Sequence, residues 1–330
     1  KGQRRKGNGR TDYLLCVQVG AMPRPLPVGV MEAKPATADP LKGMQQARRY
    51  ADCKRFAVQY VFATNGHRYA EFDQSLQLPA GPFPFTDFPT HDALTARYAK
   101  DTGVDVTAPG AAMLFMADSA AFNKPRYYQD AAIRAAFEKI LLCEQAGEPA
   151  RVLLSLATGA GKTVIAANLL WRLHEAGRLT KPALFLCDRD ALRDQAWDKL
   201  GKAFPKGSVR IVESDHGGNA AQNAKIHITT YQTLGLDEAD DGDASFLTRH
   251  YPPNAFSFII LDECHRSAWG RWAEVLKRNP DAVHIGLTAT PRQLRESKKQ
   301  TPDDASITAN NLAYFGEPVY EYTLIEAQED

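Results

Sequence analysis

Val152-Leu153-Leu154-Ser155-Leu156-Ala157-Thr158-Gly159-Ala160-Gly161-Lys162-Thr163 is the stretch that decides how this chain is read. Its first half is a nearly continuous apolar run, which suits a strand buried on both faces of a parallel sheet. Downstream, Ile165, Leu169 and Leu173 recur along Val164–His174 and Gly177 ends the run, so a helix follows the loop. Glycines between strand and helix let the backbone curl until several N–H groups point at one anion, and the helix N-terminus adds its positive end. From there Lys162 would reach the β- and γ-phosphates of a nucleotide, and the Thr163 hydroxyl would ligate Mg²⁺. A glycine-rich turn with a solvated lysine is the plain alternative, and the strand–loop–helix order argues against it. Leu156 stands where the general pattern wants Gly or Ala.

Working outward, further apolar runs at Ala183–Cys187, Ile226–Thr230, Phe258–Leu261 and Val283–Leu287 alternate with amphipathic stretches. That alternation implies a doubly wound α/β domain. The run Phe258–Leu261 ends in Asp262-Glu263-Cys264-His265. In an open α/β sheet the ligand groups sit at the carboxyl ends of strands. Asp262 would hold the Mg²⁺ and Glu263 would polarise an attacking water. Two adjacent acids alone are more often a solvated strand end; their place behind a buried strand, downstream of a phosphate loop, favours the chemical reading. Val283–Leu287 then ends in Thr288-Ala289-Thr290-Pro291-Arg292.

Lys162-Thr163, Asp262-Glu263-Cys264-His265 and Thr288-Ala289-Thr290, in this order, resemble the first RecA-like lobe of superfamily 2 helicases and translocases. The resemblance implies ATP and Mg²⁺ as cofactors. It implies nucleotide contacts at Gln129, Thr158, Gly159, Ala160, Gly161, Lys162, Thr163, Asp262 and His265, with Thr163 and Asp262 on the metal. Tyr128-Gln129 looks like the family's adenine-recognising glutamine motif, and His265 would couple the nucleotide to Thr288–Thr290. Leu186-Cys187-Asp188-Arg189 with Leu192 and Gln195, and Thr229-Thr230-Tyr231-Gln232-Thr233-Leu234, look like segments that hold one DNA strand's backbone. Ordinary strand ends and helix starts are the plain alternative for both. The family's second lobe, with its arginine finger, does not occur before Asp330. Such a finger is worth roughly 10³–10⁵ in rate, so the chain as given is expected to bind ATP weakly and hydrolyse it poorly.

The first seventy residues have a different texture. Strands are expected over Tyr13–Val19 and Pro27–Lys34, a helix over Leu41–Cys53, and a hairpin over Phe56–Ala63 and His67–Phe72. Asn65-Gly66 is the preferred pair for a tight type I′ turn in that hairpin. Glu32 and Lys34 are two apart on a strand and share a face, and Asp12 can join them if the two strands pair. Two carboxylates and a lysine converging could bind Mg²⁺ through Asp12 and Glu32, activate water, and offset charge on a scissile phosphate. Gln46 and Tyr50 share a helix face. A surface ion pair between Glu32 and Lys34, worth at most ~1 kcal/mol, is the plain alternative. A second Glu-x-Lys, Glu296-Ser297-Lys298, lies in a polar stretch and is assigned no role. Together these residues resemble the PD-(D/E)xK nuclease fold in its Gln-x-x-x-Tyr variant, which implies Asp12, Glu32, Lys34 and Gln46 as catalytic residues beside Glu263 of the motor.

The expected fold is therefore α/β: a PD-(D/E)xK nuclease-like domain over 1–75, a connecting region over 76–121 with a short helix at Asp92–Tyr98, and a RecA-like parallel-sheet lobe over 122–330. Nuclease first and motor second resembles the restriction subunit (HsdR) of type I restriction–modification systems. Phe88-Pro89-Thr90 leading into Leu94, Tyr314-Phe315-Gly316-Glu317-Pro318-Val319-Tyr320, and the bulky Leu156 also fit that family. The resemblance implies ATP-dependent DNA restriction, with Mg²⁺-dependent cleavage coupled to translocation of double-stranded DNA. It implies methylation and specificity subunits as partners, since nothing here looks like a base-reading helix. Two other readings stand beside it: a repair or anti-phage helicase–nuclease, and an ATP-regulated DNA-binding scaffold with an inert nuclease site.

Composition sets the remaining bounds. The 330 residues are 44% hydrophobic and 24% charged, as in soluble globular proteins. A net charge of +1 does not by itself favour nucleic acid. Lys1, Arg4, Arg5, Lys6 and Arg10 form a basic start that reads as a solvated tail or, more sharply, a phosphate-contacting arm. The five cysteines have no zinc or disulfide spacing, which fits packed thiols in a reducing cytoplasm. No stretch approaches the ~20 apolar residues of a membrane span. The start at Lys1 and the acidic end at Glu326–Asp330 suggest a piece of a longer protein, with the nuclease family's early acidic helix lying before Lys1.

Overall fold

The computed structural model describes residues 11–44, 57–73, 78–213, 219, 221–235, 246–264, 269–289 and 312–329. Two compact units divide the chain, Lys1–Phe115 and Met116–Asp330.

In the first unit β1 (Tyr13–Val17), β2 (Leu26–Ala33), β3 (Tyr60–Thr64), β4 (Arg68–Asp73) and β5 (Leu78–Pro84) form a five-stranded sheet in sequence order. β2 and β3 are parallel and every other neighbouring pair is antiparallel. One face buries Val30, Val61, Ala63, Ala70 and Phe72 with Leu41 and Met44 of the helical turn 40–44. The other face carries aromatic rings: Phe62 and Tyr69 lie 5.0 and 5.1 Å from Phe88. Tyr60 donates to Asp101 on α1 (His91–Thr102) at 2.9 Å. Thr90 caps α1 by accepting from the Ala93 N–H, and Gly103 ends it at φ +75°.

Two sequence expectations need correction here. Residues 78–102, expected within a connecting region, supply an edge strand and a helix of 12 residues rather than a short one. β5 carries Pro79, Pro82 and Pro84, and an edge strand tolerates proline because one row of its N–H groups has no ladder partner. The hairpin turn is centred on Gly66-His67, because the Asn65 N–H donates to the Arg68 carbonyl. Asn65 Oδ1 accepts from the His67 and Arg68 N–H groups, and Gly66 alone in the turn takes a positive φ (+85°), so the turn is not type I′.

In the second unit seven parallel strands run in the order β12-β6-β11-β10-β7-β9-β8. They are β6 (Arg151–Leu156), β7 (Ala183–Cys187), β8 (Val209–Ile211), β9 (Ile226–Thr230), β10 (Phe258–Leu261), β11 (Val283–Thr288) and β12 (Tyr320–Tyr322). α2 (Tyr127–Ala146), α3 (Lys162–Glu175), α4 (Asp190–Ala203), α5 (Phe246–His250), α6 (Trp269–Arg278) and α7 (Leu324–Glu329) complete the α/β unit. The five expected apolar runs all form strands, and residues of β6, β7, β9, β10 and β11 are buried with few exceptions. Among the described residues no helix is long and apolar enough to cross a membrane. Cys143, Cys187 and Cys264 are buried thiols outside any disulfide. Burial pushes the Cys187 and Cys264 thiols up to about 12.

Candidate functional site

The strand order puts the ends of β6, β11 and β10 side by side. Adjacent strands lie ~4.8 Å apart, so groups leaving β6 and β10 can meet across the end of β11. From β6 the chain enters the loop Ala157–Gly161, whose Gly159 and Gly161 take φ +86° and +83°. Only glycine adopts that conformation without strain. Gly161 is the residue before α3, so the loop delivers its N–H groups to a helix N-terminus. Thr158 and Gly159 are exposed at the tip, Ala160 is buried, and Thr163 lies in the first turn of α3.

Lys162 is folded back and buried. Its Nζ lies 3.0 Å from Glu263 Oε1 and 3.4 Å from the Leu156 carbonyl. Glu263 adopts φ +53°, a left-handed conformation unusual for a residue with a side chain. Its N–H donates to Asp262 Oδ1 at 3.1 Å. Asp262 is 3% exposed, and its carboxyl is pushed up to about 6, by burial first and then by the Glu263 charge, with Lys162 pulling the other way. A carboxylate taken out of water in this way is stabilised by a cation. Asp262 with Thr163 thus fits Mg²⁺, and the glycine loop with Lys162 fits the phosphates of ATP.

Gln129 is drawn into the same site. Its Oε1 accepts from the Arg126 N–H at 3.0 Å and its Nε2 donates to the Ala160 carbonyl at 3.0 Å. The carboxamide therefore braces the loop. Tyr322 was not legible as part of the site: its carbonyl accepts from the Ala157 N–H at 2.9 Å, and its ring stacks on Tyr128 at 4.0 Å. No local signal marks a brace that arrives from a strand 165 residues downstream of the loop. Thr288 is buried at the end of β11, opposite Ser155. Thr230 Oγ1 lies 3.0 Å from Thr233 Oγ1 at the end of β9, and Cys187 Sγ donates to the Thr229 carbonyl at 3.4 Å. His265 and Thr290–Arg292 lie outside the described residues.

The first unit assembles a second cluster. β1 and β2 pair with Tyr13 opposite Met31, which carries Asp12 to the end of β2. Asp12 Oδ2 accepts from the Ala33 N–H at 2.8 Å. Glu32 is 4% exposed, and its Oε1 lies 3.0 Å from Lys34 Nζ. Its Oε2 is buried without a hydrogen-bond partner among the described residues. An ionised oxygen without a partner is costly to bury, and a divalent cation would relieve that cost, so Glu32 fits the metal role expected of it. The Glu32–Lys34 ion pair of the plain alternative does form, with Glu32 buried and Lys34 part-exposed. Among the described residues no group of three or more His, Cys, Asp or Glu side chains converges, and Gln46 and Tyr50 lie outside them.

Residues 122–293 match the family model described as type III restriction enzyme, res subunit. The EcoAI endonuclease subunit of a type I restriction enzyme from Escherichia coli is 32% identical over 92% of this chain and 35% of that protein. The EcoKI endonuclease subunit from the same species (strain K12) is 29% identical over 60% of this chain and 16% of its own length. A solved fragment from Vibrio vulnificus, described as that of a candidate HsdR subunit of a type I restriction enzyme, superposes with a TM-score of 0.65 at 28% identity, covering 92% of this chain and 48% of that one. The chain spans about a third of the EcoAI subunit.

Proposed function

We propose, from the premise that this chain belongs to the family described as type III restriction enzyme, res subunit, and is homologous to endonuclease subunits of type I restriction enzymes, that it is the nuclease and first motor lobe of an ATP-dependent DNA restriction subunit. The observation that carries this reading is the meeting of Lys162 and Glu263 at 3.0 Å, at strand ends on either side of β11. In the motor the loop Thr158–Thr163 and Lys162 bind the phosphates, and Gln129 holds the loop in shape. Thr163 and Asp262 hold Mg²⁺, which when bound neutralises charge on the β- and γ-phosphates. Glu263 orients and deprotonates the attacking water. His265 is assigned to coupling the nucleotide to Thr288–Thr290.

In the nuclease unit Asp12 and Glu32 hold a divalent ion, which when bound supplies Lewis acidity at the scissile phosphate. Lys34 offsets phosphate charge, and Gln46 is assigned to the same site. The substrate of the whole subunit is double-stranded DNA, and its partners are methylation and specificity subunits.

One pair of variants tests the proposal in the full-length subunit assembled with its partners. Glu32→Ala is expected to abolish Mg²⁺-dependent DNA cleavage while ATP hydrolysis continues. Lys162→Ala is expected to abolish ATP hydrolysis and, with it, cleavage distant from the recognition site. Cleavage persisting in Glu32→Ala would sink the nuclease assignment. ATP turnover without any cleavage by the unsubstituted protein would favour a helicase or scaffold.

A further inference from the structure

We infer that Gly43 is a positioning residue for the Lys34 ammonium, an inference that rests on the nuclease reading above. Two contacts among the described residues fix the ends of the Lys34 side chain's course. The Lys34 N–H donates to the Thr64 carbonyl at 2.7 Å, and its Nζ lies 3.0 Å from Glu32 Oε1. Between these points the aliphatic stem of Lys34 crosses Gly43. A Cβ at Gly43 would lie 3.0 Å from Lys34 Cε, 3.1 Å from Lys34 Cγ and 3.2 Å from Ala63 Cβ.

Backbone conformation does not demand this glycine. Gly43 sits in the helical turn 40–44 and is absent from the residues with left-handed φ. Glycine inside a helix is otherwise unfavourable, so what the position needs is room. The three atoms nearest to such a methyl belong to two residues, and these differ in how far they can move. Ala63 is fully buried in β3, opposite Glu32 of β2 on one side and Ala70 of β4 on the other, so it cannot withdraw. The Lys34 stem, with 23% of its side chain exposed, is the neighbour that can. A methyl at Gly43 therefore shifts the stem by a few tenths of an ångström, and with it the ammonium whose charge is meant for the scissile phosphate.

The test uses the full-length subunit in its assembled complex, reading single-turnover DNA cleavage in Mg²⁺, ATP hydrolysis and thermal unfolding together. Gly43→Ala is expected to slow cleavage several-fold, less than the roughly 10²-fold that goes with a full ångström of misplacement, with ATP hydrolysis unchanged. In a Lys34→Ala background the same substitution is expected to slow cleavage no further, because the two changes act through one group. Wild-type cleavage by Gly43→Ala, beside loss of cleavage in Glu32→Ala, would overturn this inference and leave the nuclease reading standing. Wild-type cleavage by Glu32→Ala would overturn both. Should Gly43→Ala fail to fold, recovery of folding in Gly43→Ala/Lys34→Ala would support the contact with the lysine stem, and continued failure would overturn it.

Discussion

Lys162 Nζ and Glu263 Oε1 are 3.0 Å apart, so the cation proposed to meet the γ-phosphate is engaged by the carboxylate proposed to activate water. Both side chains are largely buried, at 9% and 14% exposure, so the pair is shielded from bulk water. A phosphate reaching the ammonium has to share its positive charge with this carboxylate, so nucleotide and Glu263 compete for it. Glu263→Gln weakens the competitor while keeping the shape. It is expected to bind a fluorescent ATP analogue at least as tightly as the unsubstituted protein, while phosphate release falls by about 10²–10³, as for loss of a general base. Weaker binding would show that the pair organises the loop instead of competing with the ligand.

Gly161 and Gly159 separate strain from crowding. Both take left-handed φ, but a Cβ at Gly159 meets open space, whereas one at Gly161 would sit 2.6 Å from Gln129 Nε2. Gly159→Ala is expected to cost only conformational strain, on the order of 1 kcal/mol, and a few-fold in ATP affinity. Gly161→Ala also drives the Gln129 carboxamide off the Ala160 carbonyl, and is expected to weaken ATP binding by at least tenfold more. Calorimetric titration of both variants reads the difference, and equal losses would refute a bracing role for Gln129.

Legibility in the sequence followed burial. The strands from β6 to β11 that are buried on both faces, all but the short β8, announce themselves as apolar runs, and Asp262-Glu263 stands out as two acids breaking one such run. Strands of three residues, β8 and β12, carry no run to read. β5 was hidden by its prolines, which punctuate loops far more often than edge strands. The hairpin was legible but its centre was not, because Asn65 spends its side-chain oxygen on two backbone N–H groups instead of entering the turn itself. At the site, charged residues at strand ends could be found from spacing. The Tyr322 brace could not, since only the parallel pairing of β12 with β6 brings it to Ala157.

Arg172 ties α3 to the start of the second unit and to α2. Fully buried, its guanidinium bonds Asp118 Oδ1 through Nε at 2.8 Å and Asp130 Oδ1 through the same Nη2 that reaches Asp118. Beside it Asn168 Oδ1 accepts from the Ser119 N–H at 3.0 Å. Arg172→Met leaves two carboxylates facing each other at low exposure and is expected to cost about 3–5 kcal/mol, the usual penalty for stripping one partner from a buried pair. Adding Asp118→Asn and Asp130→Asn should recover much of that loss. Urea unfolding midpoints check both steps; an Arg172→Met midpoint equal to that of the unsubstituted protein would mean the triad is stability-neutral.

His284 sets an acid limit on the second unit. It is fully buried in β11, with Nε2 2.9 Å from the Asn279 carbonyl and Nδ1 2.6 Å from the Tyr314 hydroxyl. A carbonyl can only accept, so Nε2 carries the proton and Nδ1 accepts from Tyr314. Burial first, and the nearby Arg151 charge second, push the imidazole down to about 3, while the Asn279 bond acts in the opposite sense. An unfolded histidine titrates near 6.5, so between these values the unfolded state binds the extra proton. The stabilisation is therefore complete above about pH 6.5 and is lost progressively as pH falls toward 3, by up to a few kcal/mol. Replacing His284 with Gln, which can keep one hydrogen bond but cannot take up a proton, is expected to lower the melting temperature at pH 8 and to flatten its decline between pH 6.5 and 4. A variant whose melting temperature falls with acid as steeply as that of the unsubstituted protein would place the acid sensitivity elsewhere.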